Sequence, residues 1–213
     1  DRRGCTRGGR RAGLSVRLDL RRIAVRTGPV QLADWPRIIP NRHRKTPCDA
    51  GFGSSRFSSP DKRFRVLYAA QDFPTALAEA VIRDRFVGKQ RRYLYRPYLE
   101  SLAAAAISTM APLSLVDLSG SGAYDLGIDT DAKGSRAHLA GQAFAEALHA
   151  RTTVDGILFD SRLTGVPCAA IFDRAFARLR APAPVDLLRV AALADELKAR
   201  DIIVRRRRTP PRR

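Results

Sequence analysis

Apolar residues recur along this chain with two different periods, and the changes between them mark out the elements. Arg65-Val-Leu-Tyr-Ala-Ala70 is a short apolar run and reads as a strand. The period then becomes helical: Leu77, Val81 and Arg85 fall on one line, and Ala76, Ala80 and Asp84 on the next. Asp72 fits the N-cap of that helix. Pro74 fits its first turn, where a missing N–H costs nothing, and Gly88 is its stop. Strands are predicted near Tyr93–Tyr98, Ala106–Thr109 and Leu113–Leu118, the last followed by the turn Ser119-Gly-Ser-Gly122. A second helix is predicted from about Arg136 to Ala150, where Leu139, Ala143 and Ala147, and Phe144 with Leu148, are spaced i, i+4. Asp155–Asp160 and Cys168–Phe172 read as strands joined through Leu163-Thr-Gly-Val166. Beyond Pro184 a third, amphipathic helix is predicted over Val185–Ala199.

The remaining segments lack such periods. Ala33–Pro60 is rich in Pro, Gly, Ser and charge, the composition of an ordered loop region. Residues 1–31 read as an Arg-rich arm with one short strand at Leu20–Val25, and a basic tail surrounds Arg206. The predicted organisation is an arm over 1–31, a central domain over 32–178, and a helix with a basic tail over 179–213. Strands separated by only two or three helices predict an α+β domain built on a mixed or antiparallel sheet.

Composition narrows the function classes. A 45% hydrophobic fraction in 213 residues suffices for the core of one domain and excludes a wholly disordered chain. The longest apolar candidate, Leu102-Ala-Ala-Ala-Ala-Ile107, is far short of the roughly 20 residues a membrane span requires. Residues 1–26 lack the continuous apolar centre of a secretory signal, so a cytoplasmic location is expected. Cys5, Cys48 and Cys168 are widely spaced with no CxxC pair, which predicts neither a disulfide framework nor a zinc site.

The formal net charge of +18 raises nucleic acid as a partner. Its distribution weakens that reading, because residues 1–26 carry nine Arg against two Asp and residues 205–213 carry six Arg and no acid. The ends thus account for 13 of the 18 charges and the stretch between them for +5. Such arms bind phosphate backbones without sequence preference, or stay solvated.

The candidate chemistry lies in the centre. Taken singly, Arg56 reads as a surface charge, Tyr68 as a core residue, Glu79 as a helix acid paired with Arg83 at i+4, and Ser161 as the end of a strand. His43, His138 and His149 read as loop or helix-surface residues. The order of the surrounding blocks changes that judgement. Trp35-Pro-Arg-Ile-Ile39, Gly53-Ser-Ser-Arg-Phe57, Val66-Leu-Tyr-Ala-Ala70, Thr75-Ala-Leu-Ala-Glu79, Leu115-Val-Asp-Leu118, His138–Ala147 with Gln142, Asp155-Gly-Ile-Leu-Phe-Asp-Ser161 and Ala170-Ile-Phe-Asp173 follow one another over about 145 residues. In this order they resemble the RES domain, a family named for an Arg, a Glu and a Ser. The resemblance places those three at Arg56, Glu79 and Ser161. It gives Arg37 as a further phosphate-binding Arg, with Arg42 and Arg44 close by as alternatives, and Tyr68 as the tyrosine of the strand. Ile38 departs from the pattern, since some relatives carry an aromatic residue there.

The resemblance implies a fold like that of the ADP-ribosyltransferase toxins and an action on NAD, with NAD as substrate and neither a bound cofactor nor a metal. Family members are toxins of toxin–antitoxin pairs, so an antitoxin is the implied protein partner. Water or inorganic phosphate would be the acceptor; transfer of ADP-ribose to a cellular protein is the alternative. A reading of a different class is a nonenzymatic nucleic-acid-binding protein working through its basic arms. Breaking the nicotinamide–ribose bond builds positive charge on the ribose, which a carboxylate such as Glu79 stabilises. Arg37 and Arg56 suit the two phosphates of a dinucleotide, and Tyr68 offers a ring and a hydroxyl. Ser161 is expected to hydrogen-bond the nicotinamide amide or the ribose rather than act as a nucleophile, since no activating base lies near it in sequence. The Gly120/Gly122 turn has neither Walker nor GxGxxG spacing, so no Rossmann domain is expected.

Overall fold

The computed structural model describes residues 18–128 and 138–206. Its elements form an α+β architecture of two main sheets and one small one. The chain enters through a short helix, α1 (Leu20–Val25). This corrects the expected strand at the same residues. Asp19 accepts hydrogen bonds from the backbone N–H of Arg21 and Arg22 at 3.0 and 3.3 Å, and Ile23 is buried as the anchor. N-cap chemistry outweighs the weak strand preference of an apolar-basic run.

Strand β1 (Thr27–Val30) follows and pairs antiparallel with β6 (Leu113–Asp117). The larger sheet has the order β1-β6-β7-β8-β3, with β7 at Gly156–Asp160, β8 at Pro167–Phe172 and β3 at Val66–Ala70. Its one parallel pair is β6–β7. The connection between these two strands includes α4 (Gly122–Asp125) and α5 (Leu139–Arg151), the latter on the predicted second helix. A parallel pair requires such a crossover.

The second sheet runs β10-β5-β2, with β2 at Trp35–Pro40, β5 at Leu102–Thr109 and β10 at Val185–Asp186. A two-residue strand, β9 (Leu179–Arg180), also pairs with β5. The period-two alternation of β3 explains how the sheets pack. Val66, Tyr68 and Ala70 face a core containing Phe57, Phe144, Phe159 and Phe172, whereas Leu67 and Ala69 face a second core with Ile107, Leu115 and Ile171.

Two further predictions are corrected. The strand expected over Tyr93–Tyr98 stops early: β4 is Arg92–Tyr95, and Pro97 opens a helical turn, α3 (Arg96–Glu100). The helix expected over Val185–Ala199 is divided. Val185 and Asp186 pair with Ala104 and Ala103, Leu187–Arg189 form a 3-10 turn, and only Leu193–Ala199 (α6) is α-helical. Arg44 forms an ion pair with Asp186 and reaches the Pro184 carbonyl at 2.5 Å, which holds the segment extended where helical periodicity alone predicts winding. After α6, β11 (Ile202–Arg205) pairs in parallel with β4. A third core of Leu77, Leu94, Leu99, Leu187 and Leu197 fixes this end of the fold beneath the helix that follows β3. Among the described residues no helix is long and apolar enough to cross a membrane.

The Asp155-Gly156 step locks β7 in place. The Asp155 carboxylate accepts from the Ser114 N–H at 2.7 Å and forms an ion pair with Arg178. A Cβ on Gly156 would press into the Ala170 carbonyl oxygen and the Ile171 Cα. Gly156→Ala is therefore expected to lower unfolding stability by about 3 kcal/mol, because a strand backbone rather than a flexible side chain would have to yield. Urea denaturation followed by circular dichroism checks this.

Candidate functional site

The strongest candidate site lies where the helix after β3 faces the carboxyl end of β7. Asp72 starts that helix by accepting from the Thr75 N–H at 2.8 Å, and α2 runs Phe73–Leu77 with Pro74 in its first turn. The winding then widens to a π-helix over Ala78–Ile82 and tightens to a 3-10 helix over Arg83–Phe86. A π turn inserts a residue and re-aims the side chains around it. Glu79 lies in the π turn, with Leu77 and Val81 packed into the core on either side of it in sequence.

Glu79 meets Ser161 directly. The Ser161 hydroxyl donates to Glu79 Oε1 at 2.7 Å and accepts from the Leu163 N–H at 3.2 Å. Gly165, at φ +73°, closes the turn after β7 by donating its N–H to the Ser161 carbonyl at 2.9 Å. Ser161 is only 2% exposed, so its hydroxyl orients the carboxylate from behind. The other carboxylate oxygen, Oε2, lies 3.7 Å from Arg83 Nη1.

Opposite stands the loop 53–59. Phe57 anchors it, fully buried and edge-on to Phe159 at 5.2 Å between centroids. The Tyr68 hydroxyl accepts from the Phe57 N–H at 3.0 Å, the Gln142 amide donates to the Ser55 carbonyl at 3.1 Å, and His138 Nδ1 donates to the Ser54 carbonyl at 2.8 Å. These contacts hold Arg56 in place, 7% exposed, with its guanidinium carbon about 6 Å from the Phe57 and Phe159 ring centroids. Arg56 Nε and Nη1 are buried without a hydrogen-bond partner. Burial pushes the Arg56 pKa down. Arg162 and Arg83 add to that, while Glu79 and Tyr68 oppose it. A buried cation with unmet donors is costly, and an anionic ligand would relieve it.

Between these walls lies a cavity of about 280 Å³, lined among others by Arg37, Arg56, Tyr68, Glu79, Arg83 and Cys168. Of the three candidate arginines near the first strand, Arg37 is the one that reaches it. Arg42 turns to His43, and Arg44 is taken by Asp186. Arg37 Nη1 also clamps the Pro47 and Asp49 carbonyls at 2.7 and 2.8 Å, and burial lowers its pKa to about 10. Burial raises the Tyr68 phenol, so it stays a neutral hydroxyl. Burial also pushes the Cys168 thiol up to about 12, leaving it a neutral part of the wall rather than a nucleophile.

Four of the five predicted residues, Arg37, Arg56, Tyr68 and Glu79, line one cavity, and Ser161 supports it through Glu79. Sequence reasoning left out Arg83, although its i+4 spacing from Glu79 was the available signal. His138, read as a loop or helix-surface residue, stands half-exposed at the start of α5, ties it to the Arg56 loop and approaches Arg83 at 3.5 Å. His149 stacks on Phe64 at 4.3 Å, away from the cavity lining. Among the described residues no group of three or more His, Cys, Asp or Glu could hold a metal ion. The arrangement offers one oriented carboxylate facing cations and a tyrosine hydroxyl, suited to holding an anionic substrate beside a centre that gains positive charge.

The chain resembles known proteins at each level of comparison. It is 33% identical over 109 residues to the probable toxin y4kH of Sinorhizobium fredii (strain NBRC 101917 / NGR234), covering 50% of this chain and 86% of that protein. Its fold matches a chain in the crystal structure of the M. tuberculosis MbcT–MbcA toxin–antitoxin complex with a TM-score of 0.59 at 18% identity, over 84% of this chain and 96% of that one. The family model for the RES domain matches residues 18–192, from the residue before the Asp19 N-cap to the start of α6. The chain belongs to the RES-domain family.

Proposed function

We propose that this protein is the toxin of a toxin–antitoxin pair and that it consumes NAD by breaking the nicotinamide–ribose bond, with water or inorganic phosphate as acceptor. One observation carries the chemistry. The Glu79 carboxylate, oriented by Ser161, shares a cavity with the buried Arg56 guanidinium, two of whose nitrogens lack a partner. The names of the relatives support the biological role. One is a probable toxin, and the other is seen in complex with its antitoxin. A cognate antitoxin is therefore the proposed protein partner.

The chain's own groups divide the work. Arg56 offers Nε and Nη1 to a phosphate oxygen, meeting donors that are otherwise buried and unsatisfied, and Arg37 adds a second cation to the cavity lining. The Tyr68 ring and hydroxyl form a wall for an aromatic ring or a ribose. As the glycosidic bond lengthens, the ribose takes on oxocarbenium character, and the fixed Glu79 carboxylate stabilises that charge without having to reorganise. Ser161 is a positioning residue in this scheme, because its hydroxyl is spent on Glu79. Arg83 flanks the other carboxylate oxygen. The acceptor is whichever group reaches the far face of the ribose, and a protein acceptor would make the same site an ADP-ribosyltransferase.

Three outcomes test the reading. Glu79→Gln is expected to keep the fold and reduce NAD turnover by about 10²–10³-fold, the scale of losing one preorganised electrostatic contact. Chromatography of nicotinamide and ADP-ribose products, with and without phosphate, measures this and identifies the acceptor. Full activity in that variant would overturn the mechanism. Ser161→Ala is expected to lower kcat roughly 10-fold or more while KM changes little, as a hydrogen bond to a charged group is lost. Arg56→Lys keeps a charge but loses the fork, so KM should rise by about 10-fold in the same assay.

A further inference from the structure

A further cavity lies at the opposite end of the helix that carries Glu79. It is about 240 Å³ in volume and is lined by Arg85, Lys89, Arg91, Tyr93, Tyr95 and Tyr98 together with Phe86 and Leu94. Residues 85–98 carry five cations and no acid. The stretch between the two arms has a net charge of +5, so the rest of that stretch is balanced and its excess is concentrated here. The parallel pairing of β11 with β4 then sets Arg205 beside Tyr95. The fold thus adds the Arg205 charge to a surface that is already positive, and like charges gathered in this way favour binding of a polyanion.

The cations are held in a particular way. The Arg205 guanidinium lies 3.7 Å from the Tyr93 ring centroid and that of Arg85 4.3 Å from the Tyr98 centroid. Among the described residues, Arg85, Lys89, Arg91 and Arg205 form no ion pair with a carboxylate, whereas Arg96 and Arg200 pair with Glu100 and Glu196. Lys89 and Arg91 are exposed, and Ile203 presents a further exposed apolar side chain from β11. Unpaired guanidinium and ammonium groups suit phosphates. Tyrosine rings interleaved with them, three within six residues, suit unstacked bases. An acidic peptide would use the charges but not the rings, and a duplex keeps its bases stacked away from them.

We infer that this tyrosine–arginine cleft binds single-stranded nucleic acid, at a site separate from the Glu79 cavity. The test is fluorescence anisotropy with a fluorescein-labelled 12-mer of uridine on the full chain. With about five phosphate contacts, affinity should fall about 100-fold between 50 and 200 mM salt. Lys89→Ser with Arg91→Ser, both at exposed positions, should weaken binding about 10-fold. Tyr93→Ala should do the same while Tyr93→Phe retains binding, with thermal unfolding confirming that each variant is folded. Glu79→Gln should bind the probe as the unaltered chain does. Three results would overturn the inference: equal affinity for a 12-base-pair duplex, equal affinity for a polyglutamate peptide, or Tyr93→Ala and the Lys89/Arg91 variant binding undiminished. The first two assign the cleft to a different partner, and the third reduces binding to the arms alone.

Discussion

A guanidinium buried with two of its nitrogens unpaired is the constraint around which this fold is arranged. Arg56 is desolvated, flanked by the positive charges of Arg83 and Arg162, and set against the edge-on pair of Phe57 and Phe159. Nothing local in the Gly53–Ser59 loop makes that position favourable. It persists because the loop is fixed from three directions: by Phe57 in the aromatic core, by Tyr68 from β3, and by Gln142 and His138 from α5. The order of the large sheet serves this arrangement. It places β3 beside β8 and β8 beside β7, so Tyr68, Phe159 and Ser161 converge on one end of the sheet.

The facing wall is built by a change of winding. A regular α-helix from Asp72 to Gly88 would distribute its side chains with a 3.6-residue period, whereas the π turn at Ala78–Ile82 adds a residue at the point where Glu79 must meet Ser161. The apolar residues Leu77 and Val81 hold that turn in the core, at 0% and 2% exposure, so the irregular backbone is stabilised by packing rather than by local preference. The short Ser161–Glu79 hydrogen bond then joins the helix to the end of β7, and the chemistry depends on both elements keeping their register.

The core elements were legible because their patterns are local. The β3 alternation, the Asp72 cap with Pro74, the α5 spacing and the strands β7 and β8 all follow from neighbouring residues. The misread segments depend on a side-chain cap or on distant partners. Leu20–Val25 winds because Asp19 caps it, Val185–Asp186 extends because β5 and Arg44 are there to receive it, and β11 exists because β4 offers an edge. The site divides in the same way. Arg56, Tyr68, Glu79 and Ser161 were identifiable from a succession of blocks that resembles a family, but not from any of them alone. That Ser161 serves Glu79 from behind depends on a π turn and a strand end 82 residues away in sequence, which periodicity cannot reveal, whereas the i+4 spacing of Arg83 from Glu79 did signal their pairing.

The alanines around the cavity show that its space is a requirement rather than a packing fault. Ala70 ends β3 on its Arg56 side, where a β-branched residue would raise strand preference, and Ala76 and Ala80 line the same space from the helix. Larger side chains at these three places would fill the volume between Arg56 and Glu79. The stability forgone there is offset by the three cores on either side, where Phe57, Phe144, Phe172, Leu67, Leu77 and Ile107 are essentially fully buried. Because those cores enclose the cavity on two sheets and a helix, its charged walls can be held apart without collapsing onto each other. That separation keeps Arg56 from satisfying itself on Glu79 and leaves both groups available to a ligand.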